Sequence, residues 1–391
     1  MPLEPNQIGT TTDKAMQLVD SGIICRAQPN GPYAACTHPT IAVLSNGRVL
    51  VAFRHGSTKD SDDESVEIVE TRDNGQTWSK LPFTAPTMVN GKRGTAHTCH
   101  ITEIEPNHLL GAVMWVDRET YAGKPLFNAQ TEGCLPMAIV LSDSHDGGAT
   151  WSTSRMVPMP PEIGPPSLTS AIMKLPDGTL AMSIETNKAY DDRSQWFQRT
   201  VILYSTDGGK NWGPPITASR DATGRIFYWD QRTQMTREGG IVAFLWTYDS
   251  TVNTYLNIHR NVSPDGGKCW TGVEDLGFAD QAGHPAILPC GSVVLPYVDR
   301  FNSRRILARS APGPAAAFDP DSEVVIYSHA LTDSRRSQSS VTAALAEMGL
   351  WSYGLPYADA LPGGDVMVVY YAGSNEAMDL RWANLRMPRS E

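Results

Sequence analysis

The stretch SHDGGATW at 144–151 is one of four copies of a short pattern. The others read TRDNGQTW at 71–78, STDGGKNW at 205–212 and SPDGGKCW at 263–270. In each copy an aspartate (Asp73, Asp146, Asp207, Asp265) precedes a glycine-bearing turn, and a tryptophan follows five residues after it. That spacing describes a β-hairpin. Glycine supplies positive φ, the aspartate ties its carboxylate to turn amides, and the indole plugs the sheet edge. Successive aspartates stand 73, 61 and 58 residues apart, enough for four short strands and their connections.

A second repeat extends the count. Six segments share an apolar strand, a glycine-type turn and another apolar strand: HPTIAVLSNGRVLVAF (38–53), HITEIEPNHLLGAVMW (100–115), SAIMKLPDGTLAMSI (170–184), RTQMTREGGIVAFLW (232–246), HPAILPCGSVVLPYV (284–298) and PYADALPGGDVMVVYY (356–371). Third strands follow as VEIVET, MAIVLS, TVILYS, YLNIHRN, RILARS and LRWANL. Helical periodicity is confined to short candidates at 11–20 and 341–348. The pattern predicts an all-β chain, a six-bladed β-propeller of four-stranded antiparallel blades in one domain spanning 1–391. Residues 17–26 (QLVDSGIICR) read as a spare strand that closes the last blade beside LRWANLRM, leaving no open edge.

Composition narrows the function. The 391 residues carry 32 Lys+Arg against 42 Asp+Glu, a formal net charge of −10. This speaks against general binding to nucleic acid or anionic membranes. No apolar run approaches the ~20 residues of a membrane span, and residues 1–20 lack the apolar core of a secretory signal. The expectation is a cytoplasmic protein or a mature secreted or periplasmic form. Six cysteines (Cys25, Cys36, Cys99, Cys134, Cys269, Cys290) are scattered without a C-x-x-C pair, which disfavours a zinc ribbon and suggests reduced thiols. No G-K-[ST] follows the DGG turns, and neither an EF-hand loop nor H-E-x-x-H occurs. No cofactor or metal is expected.

In such a ring the start of each blade's first strand and the end of its second share one face. The starts bring His38, His97 and His100, Ser167, Asp230 with Arg232, His284, and Tyr353 with Tyr357. The ends bring Arg54, Asp117 with Arg118, Glu185 with Asn187, Tyr248, Asp299 with Arg300, and Tyr371. Arginines recurring in FRH, VDR and VDR suggest convergence on an anionic ligand, because the planar guanidinium binds carboxylate bidentately. Trp115, Trp229 and Trp246 lie near the same face, where core packing is the plainer reading and stacking on sugar rings the functional one.

The D-x-G-x-x-W repeats resemble the Asp boxes (BNR repeats) of the sialidase superfamily, and the resemblance covers about residues 36 to 385. It implies a glycoside hydrolase acting on a glycan that carries an acidic or terminal sugar. Enzymes of this type use a tyrosine nucleophile activated by a glutamate, an aspartate acid/base, and three arginines on the sugar carboxylate. The resemblance maps the loop aspartate to Asp62 or Asp63 in the KDSDDES loop, which also holds Asp60 and Glu64, and the tyrosine to Tyr353 in WSYGLP. Glu185 or Asp230 would activate the tyrosine, and Arg54, Arg118 and Arg300 would hold the sugar. Tyr353→Phe is then expected to abolish turnover. The Arg-Ile-Pro motif is replaced by Thr37-His38-Pro39, so the family's first arginine is missing. Two alternatives follow. A glycan lyase would use His38, His97 or His284 as base with a tyrosine acid on a uronate-containing chain. A carbohydrate-binding propeller would have lost catalysis.

Overall fold

A computed structural model describes residues 15–330 and 335–388. Strands dominate, with a single α-helix among the described residues, Val341–Met348. The strands form six antiparallel four-stranded meanders. The first comprises Ala35–Val43, Val49–Gly56, Ser65–Thr71 and Ser79–Lys80. The second is built on Lys92–Glu105, His108–Asp117, Met137–Ser144 and Arg155–Met156. The third runs from the broken strand Ser167–Leu168 and Met173–Lys174 through Leu180–Glu185 and Arg199–Ser205 to Ile216–Arg220. The fourth uses Ile226–Met235, Ile241–Asp249, His259–Ser263 and Glu274–Asp275. The fifth opens on Gln281–Ala282 and Ala286–Ile287 and continues through Val293–Asp299, Arg305–Ala311 and Asp319–Ser328. The sixth joins Tyr353–Ala360, Val366–Ser374 and Ala377–Arg386 to the N-terminal strand Gln17–Cys25, which pairs antiparallel from Gln17 opposite Arg386 to Cys25 opposite Leu380. One parallel bridge, Ala35 to Met378, links the sixth meander to the first.

The second strand of each meander is apolar on both sides because both faces are covered. All nine residues of Ile241–Asp249 and all six of Leu180–Glu185 are buried. Leu50, Ala52 and Ile68 of the first meander pack against Cys99, Leu109 and Val113 of the second. Ala286, Val294 and Ile306 of the fifth meet Ala358, Val366 and Val368 of the sixth.

The four repeated turns share one bonding scheme. Oδ1 of Asp73, Asp146, Asp207 and Asp265 accepts the amide four residues on, at 2.9, 2.8, 2.9 and 2.9 Å. A hydroxyl two residues before each aspartate (Thr71, Ser144, Ser205, Ser263) accepts the N–H of Gly75, Gly148, Gly209 or Gly267. These glycines sit at φ between 82° and 97°, where a Cβ is disfavoured. Trp78, Trp212 and Trp270 donate their indole N–H to the carbonyls of Gly75, Gly209 and Gly267. Trp151 instead packs edge-on against Phe83.

Of the two short helical candidates, 341–348 is the helix, capped by Ser340, whose Oγ accepts the Ala343 N–H at 3.1 Å. The other lies partly outside the described residues, and from Gln17 onward it is strand.

Candidate functional site

Four first strands carry an extra residue at a corresponding place. In the first meander Thr37 faces Arg54 and Thr40 faces Ala52, leaving His38 and Pro39 against a single partner position. Asp230 with Gln231 in the fourth meander and Leu355 with Pro356 in the sixth repeat the pattern. His97 is the surplus residue in the second. These are β-bulges, which bend a strand and re-aim its side chain. His38, Asp230 and Leu355 adopt φ of 50°, 52° and 47°, a left-handed conformation that costs a non-glycine residue about 1–2 kcal/mol. His38, His97, Asp230 and Leu355 all border one cavity of about 490 Å³.

The cavity lining has two unlike parts. One is aromatic and apolar: Trp196, Trp229, Trp246 and Trp351, with Leu345 and Met348 of the helix. Tyr255 stacks behind Trp246 at 5.0 Å and Tyr248 behind Trp229 at 4.8 Å, so the indoles are braced. The polar part of the lining carries His38, His97, Arg54, Lys59 and Asp60. Glu185, Asp230 and Arg232 line the cavity as well. Loop residues 125–129 also border the cavity. Lys59 ties its Nζ to the carbonyls of Met348 (2.6 Å) and Trp351 (3.1 Å), joining the first meander's loop to the chain beyond the helix. Burial, then Arg300 and Arg54, push its amine well below the ordinary lysine range.

The expected arginine cluster takes a different form. Arg54 and Arg118 meet at Glu64, Arg54 at 3.2 Å and Arg118 at 2.8 Å. Arg54 also donates to Nδ1 of His38 (2.8 Å) and Nε2 of His97 (2.7 Å). Arg118 is turned from the cavity and held by Asp60 (2.8 Å) and Thr95 (3.1 Å). Arg300 is also buried outside the lining. It donates to Gln281 Oε1 at 2.8 Å and the Tyr353 carbonyl at 3.0 Å, with its guanidinium 3.9 Å from the Trp351 ring centroid. Burial pushes the Glu64 carboxyl up, but His97, Arg54 and Arg118 outweigh it and hold it well below the usual range. Asp60, Glu64 and His97 lie within 4.8 Å of one another, the spacing of a metal cluster, yet their charge is already matched by the two guanidiniums.

Other expected residues fall outside the cavity for visible reasons. Asp63 spends Oδ1 on the amide (3.0 Å) and hydroxyl (2.9 Å) of Ser57. Asp62 projects outward, 3.7 Å from Arg118 Nε. Their loop presents Asp60 to the cavity instead. Tyr353 stacks on His329 at 4.4 Å beneath Arg300, and its hydroxyl is buried with no hydrogen-bond partner among the described residues. Burial pushes that phenol up to about 12. Tyr357 stacks on His284 at 3.9 Å, with its oxygen accepting the Ala171 amide at 3.1 Å. His284 donates Nε2–H to the Thr233 carbonyl at 3.0 Å. Asp299 caps a turn through the amides of Asn302 and Ser303. Trp115 packs in the core between the first two meanders rather than on the cavity.

Glu185 and Asp230 are brought together. The bulge at Asp230 turns its amide toward Glu185 Oε2, which accepts it at 2.8 Å. Asp230 pairs with Arg232 Nη2 at 2.7 Å. Burial raises the Glu185 carboxyl to about 8, against the Asp230 amide, which favours the ionised form and outranks the opposing charge of the Asp230 carboxylate. Burial and Arg54 keep His38 and His97 neutral. The sequence reading passed over Asp60, although its loop was singled out, and over Lys59, Trp196 and Trp351. A bulge is written in pairing register, which no single strand reveals.

No family model matches the chain, and no curated protein matches it in sequence. Solved structures match in fold. A protein of unknown function from Dyadobacter fermentans superimposes with a TM-score of 0.71 at 19% identity, covering 95% of this chain and 99% of that one. The intramolecular trans-sialidase from Ruminococcus gnavus, solved with oseltamivir carboxylate, gives 0.63 at 13% identity over 94% of this chain and 99% of that one. The NanB sialidase from Streptococcus pneumoniae gives 0.62 at 13% identity over 94% and 70%. The fold is therefore sialidase-like.

Proposed function

We propose that the six meanders are the blades of one six-bladed β-propeller, that the repeated turns are its Asp boxes, and that the cavity is the active site of a glycoside hydrolase. The observation that carries the reading is the placement of Glu185: a buried carboxyl on the cavity wall, its Oε2 bonded to the Asp230 amide at 2.8 Å and in the same cavity as Asp60, where burial pushes its pKa up. A pair of carboxyl groups facing one cavity, one of them in a desolvated environment, is what glycoside hydrolysis uses. Glu185 gives its proton to the glycosidic oxygen as the C–O bond breaks. Water forms the new bond to the anomeric carbon and loses a proton to Asp60. Asp230 and Asp60 stabilise the oxocarbenium-like charge between these steps.

This departs from a tyrosine-nucleophile scheme. Tyr353 does not border the cavity, and Tyr371, which does, commits its hydroxyl to the Trp351 carbonyl at 3.2 Å. Elimination by a histidine base gains less support, because Nδ1 of His38 and Nε2 of His97 face the Arg54 guanidinium and His284 is buried elsewhere. The test is product mass from a glycan panel. Fragments summing to substrate plus water support hydrolysis. An unsaturated fragment without added water establishes a lyase, and intact glycan with measurable binding establishes a carbohydrate-binding protein.

A further inference from the structure

The cavity holds three basic side chains, Arg54, Lys59 and Arg232, and each is already engaged. Arg54 is matched by Glu64 at 3.2 Å and donates to two histidines. Lys59 donates to two main-chain carbonyls, and burial with Arg300 and Arg54 disfavours its charged form. Arg232 is paired with Asp230 at 2.7 Å and donates to the Thr169 carbonyl. The Nε of Arg232 has no partner among the described residues, but it is inaccessible to a molecule in the cavity. Arg118 and Arg300, which would complete a carboxylate clamp, do not reach the cavity. An anionic sugar placed here would meet Asp60 and Asp230 and find both guanidiniums already paired with a carboxylate. Burying a carboxylate without a partner is costly.

The remaining wall has the opposite preference. Four indoles, two of them (Trp229 and Trp246) backed by stacked tyrosines, line it beside Leu345 and Met348. Sugar rings expose C–H groups on one face and hydroxyls at the edge. The aromatic wall suits the first, and the carboxylates of Asp60 and Asp230 accept hydrogen bonds from the second. We infer that, given the glycosidase reading above, the substrate is a neutral glycoside, a hexoside or deoxyhexoside with an apolar face or aglycone, and not a sialoside or uronide. The cavity's charge pairing, more than its shape, selects the sugar class.

The experiment uses the full chain and methylumbelliferyl glycosides sharing one aglycone: neutral hexosides, neutral deoxyhexosides, the glucuronide and the N-acetylneuraminide. Binding is followed by tryptophan fluorescence, in wild type and Glu185→Gln, at low and at ~0.5 M salt. Turnover is followed separately by released umbelliferone. At least one neutral glycoside should bind about tenfold or more tightly than either anionic one, with an affinity unchanged by salt. An anionic glycoside binding as tightly as the best neutral one, with salt-weakened affinity, overturns the inference. So does failure of every neutral glycoside to bind. The two readings separate cleanly: neutral binding without release defeats the hydrolase alone, and release from a sialoside or uronide defeats the neutral-substrate inference alone.

Discussion

Replacing Glu185 with glutamine tests the proposed acid through stability as well as turnover. The carboxyl titrates at about 8 in the folded chain against 4.5 for an unperturbed glutamate. Below pH 4.5 the group is protonated in both folded and unfolded states, and its full contribution to stability is present. As pH rises from 4.5 toward 8, the unfolded chain ionises while the folded one keeps its proton, so stability is lost through that window. At about 1.36 kcal/mol per pH unit, the loss reaches about 5 kcal/mol, a large share of a typical domain's stability. Glutamine keeps an oxygen to accept the Asp230 amide but cannot ionise. Urea unfolding at a series of pH values should show Glu185→Gln gaining on wild type by roughly this amount across the window, with no difference developing below it. The same variant should lose turnover by about a hundredfold or more. The subtraction matters, because Asp280 and Asp359 are also raised by burial, to about 7 and 6, and contribute equally to both proteins. A stability difference that stays flat from acid to alkaline pH would falsify the assignment of a buried neutral acid.

Tyr353→Phe should leave turnover within about twofold and raise stability by about 1 kcal/mol, since it removes a buried hydroxyl without a partner among the described residues; loss of turnover in a folded variant would restore the tyrosine nucleophile. Asp60→Asn should reduce turnover by about a hundredfold or more, while Asp62→Asn, outside the cavity, should not; the reverse ranking refutes the geometry of the loop. Cys25 and Cys36 hold their sulfurs 3.5 Å apart on different strands. Diamide should oxidise this pair to a disulfide that peptide mapping detects, raising stability by about 2–3 kcal/mol. Two thiols that still alkylate after diamide treatment would contradict it.

The strands were legible because their signal is local. Runs of apolar residues and glycine-type turns mark the hairpins, four D-x-G-x-x-W turns follow, and the residues of the six quoted segments pair as successive strands. The hydroxyl at the head of each turn was also in plain sight, as Thr71, Ser144, Ser205 and Ser263. The site was only half legible. Glu185, Asp230, His38, His97 and Arg54 were found from their place at strand ends, and all border the cavity. Tyr353, Tyr357, Arg118, Arg300, His284 and Asp299 satisfy the same positional rule but do not. Side chains alternate across a strand, so one residue of register decides between cavity and core. Bulges break that alternation without leaving a mark in composition. Charge partners are equally silent: nothing in the run KDSDDES says that Asp60 and Glu64 share Arg118 while Asp63 caps Ser57.

The bulges also explain why the chemistry gathers where it does. Strain in a backbone persists only when the surroundings hold it in place, and here the second strands that flank each bulge are buried along nearly their whole length. At His38 and Asp230 the strained residue carries a side chain with a polar task, so a left-handed conformation is kept where glycine or asparagine would fit more easily. Asp230 gains twice from the same distortion: its carboxylate faces Arg232, and its freed amide reaches the carboxyl of Glu185. An unbulged strand would pair that amide with its neighbour and leave Glu185 without this donor. Burial makes Glu185 a neutral acid; the single extra residue in the strand fixes where its carboxyl and that of Asp230 sit relative to one another.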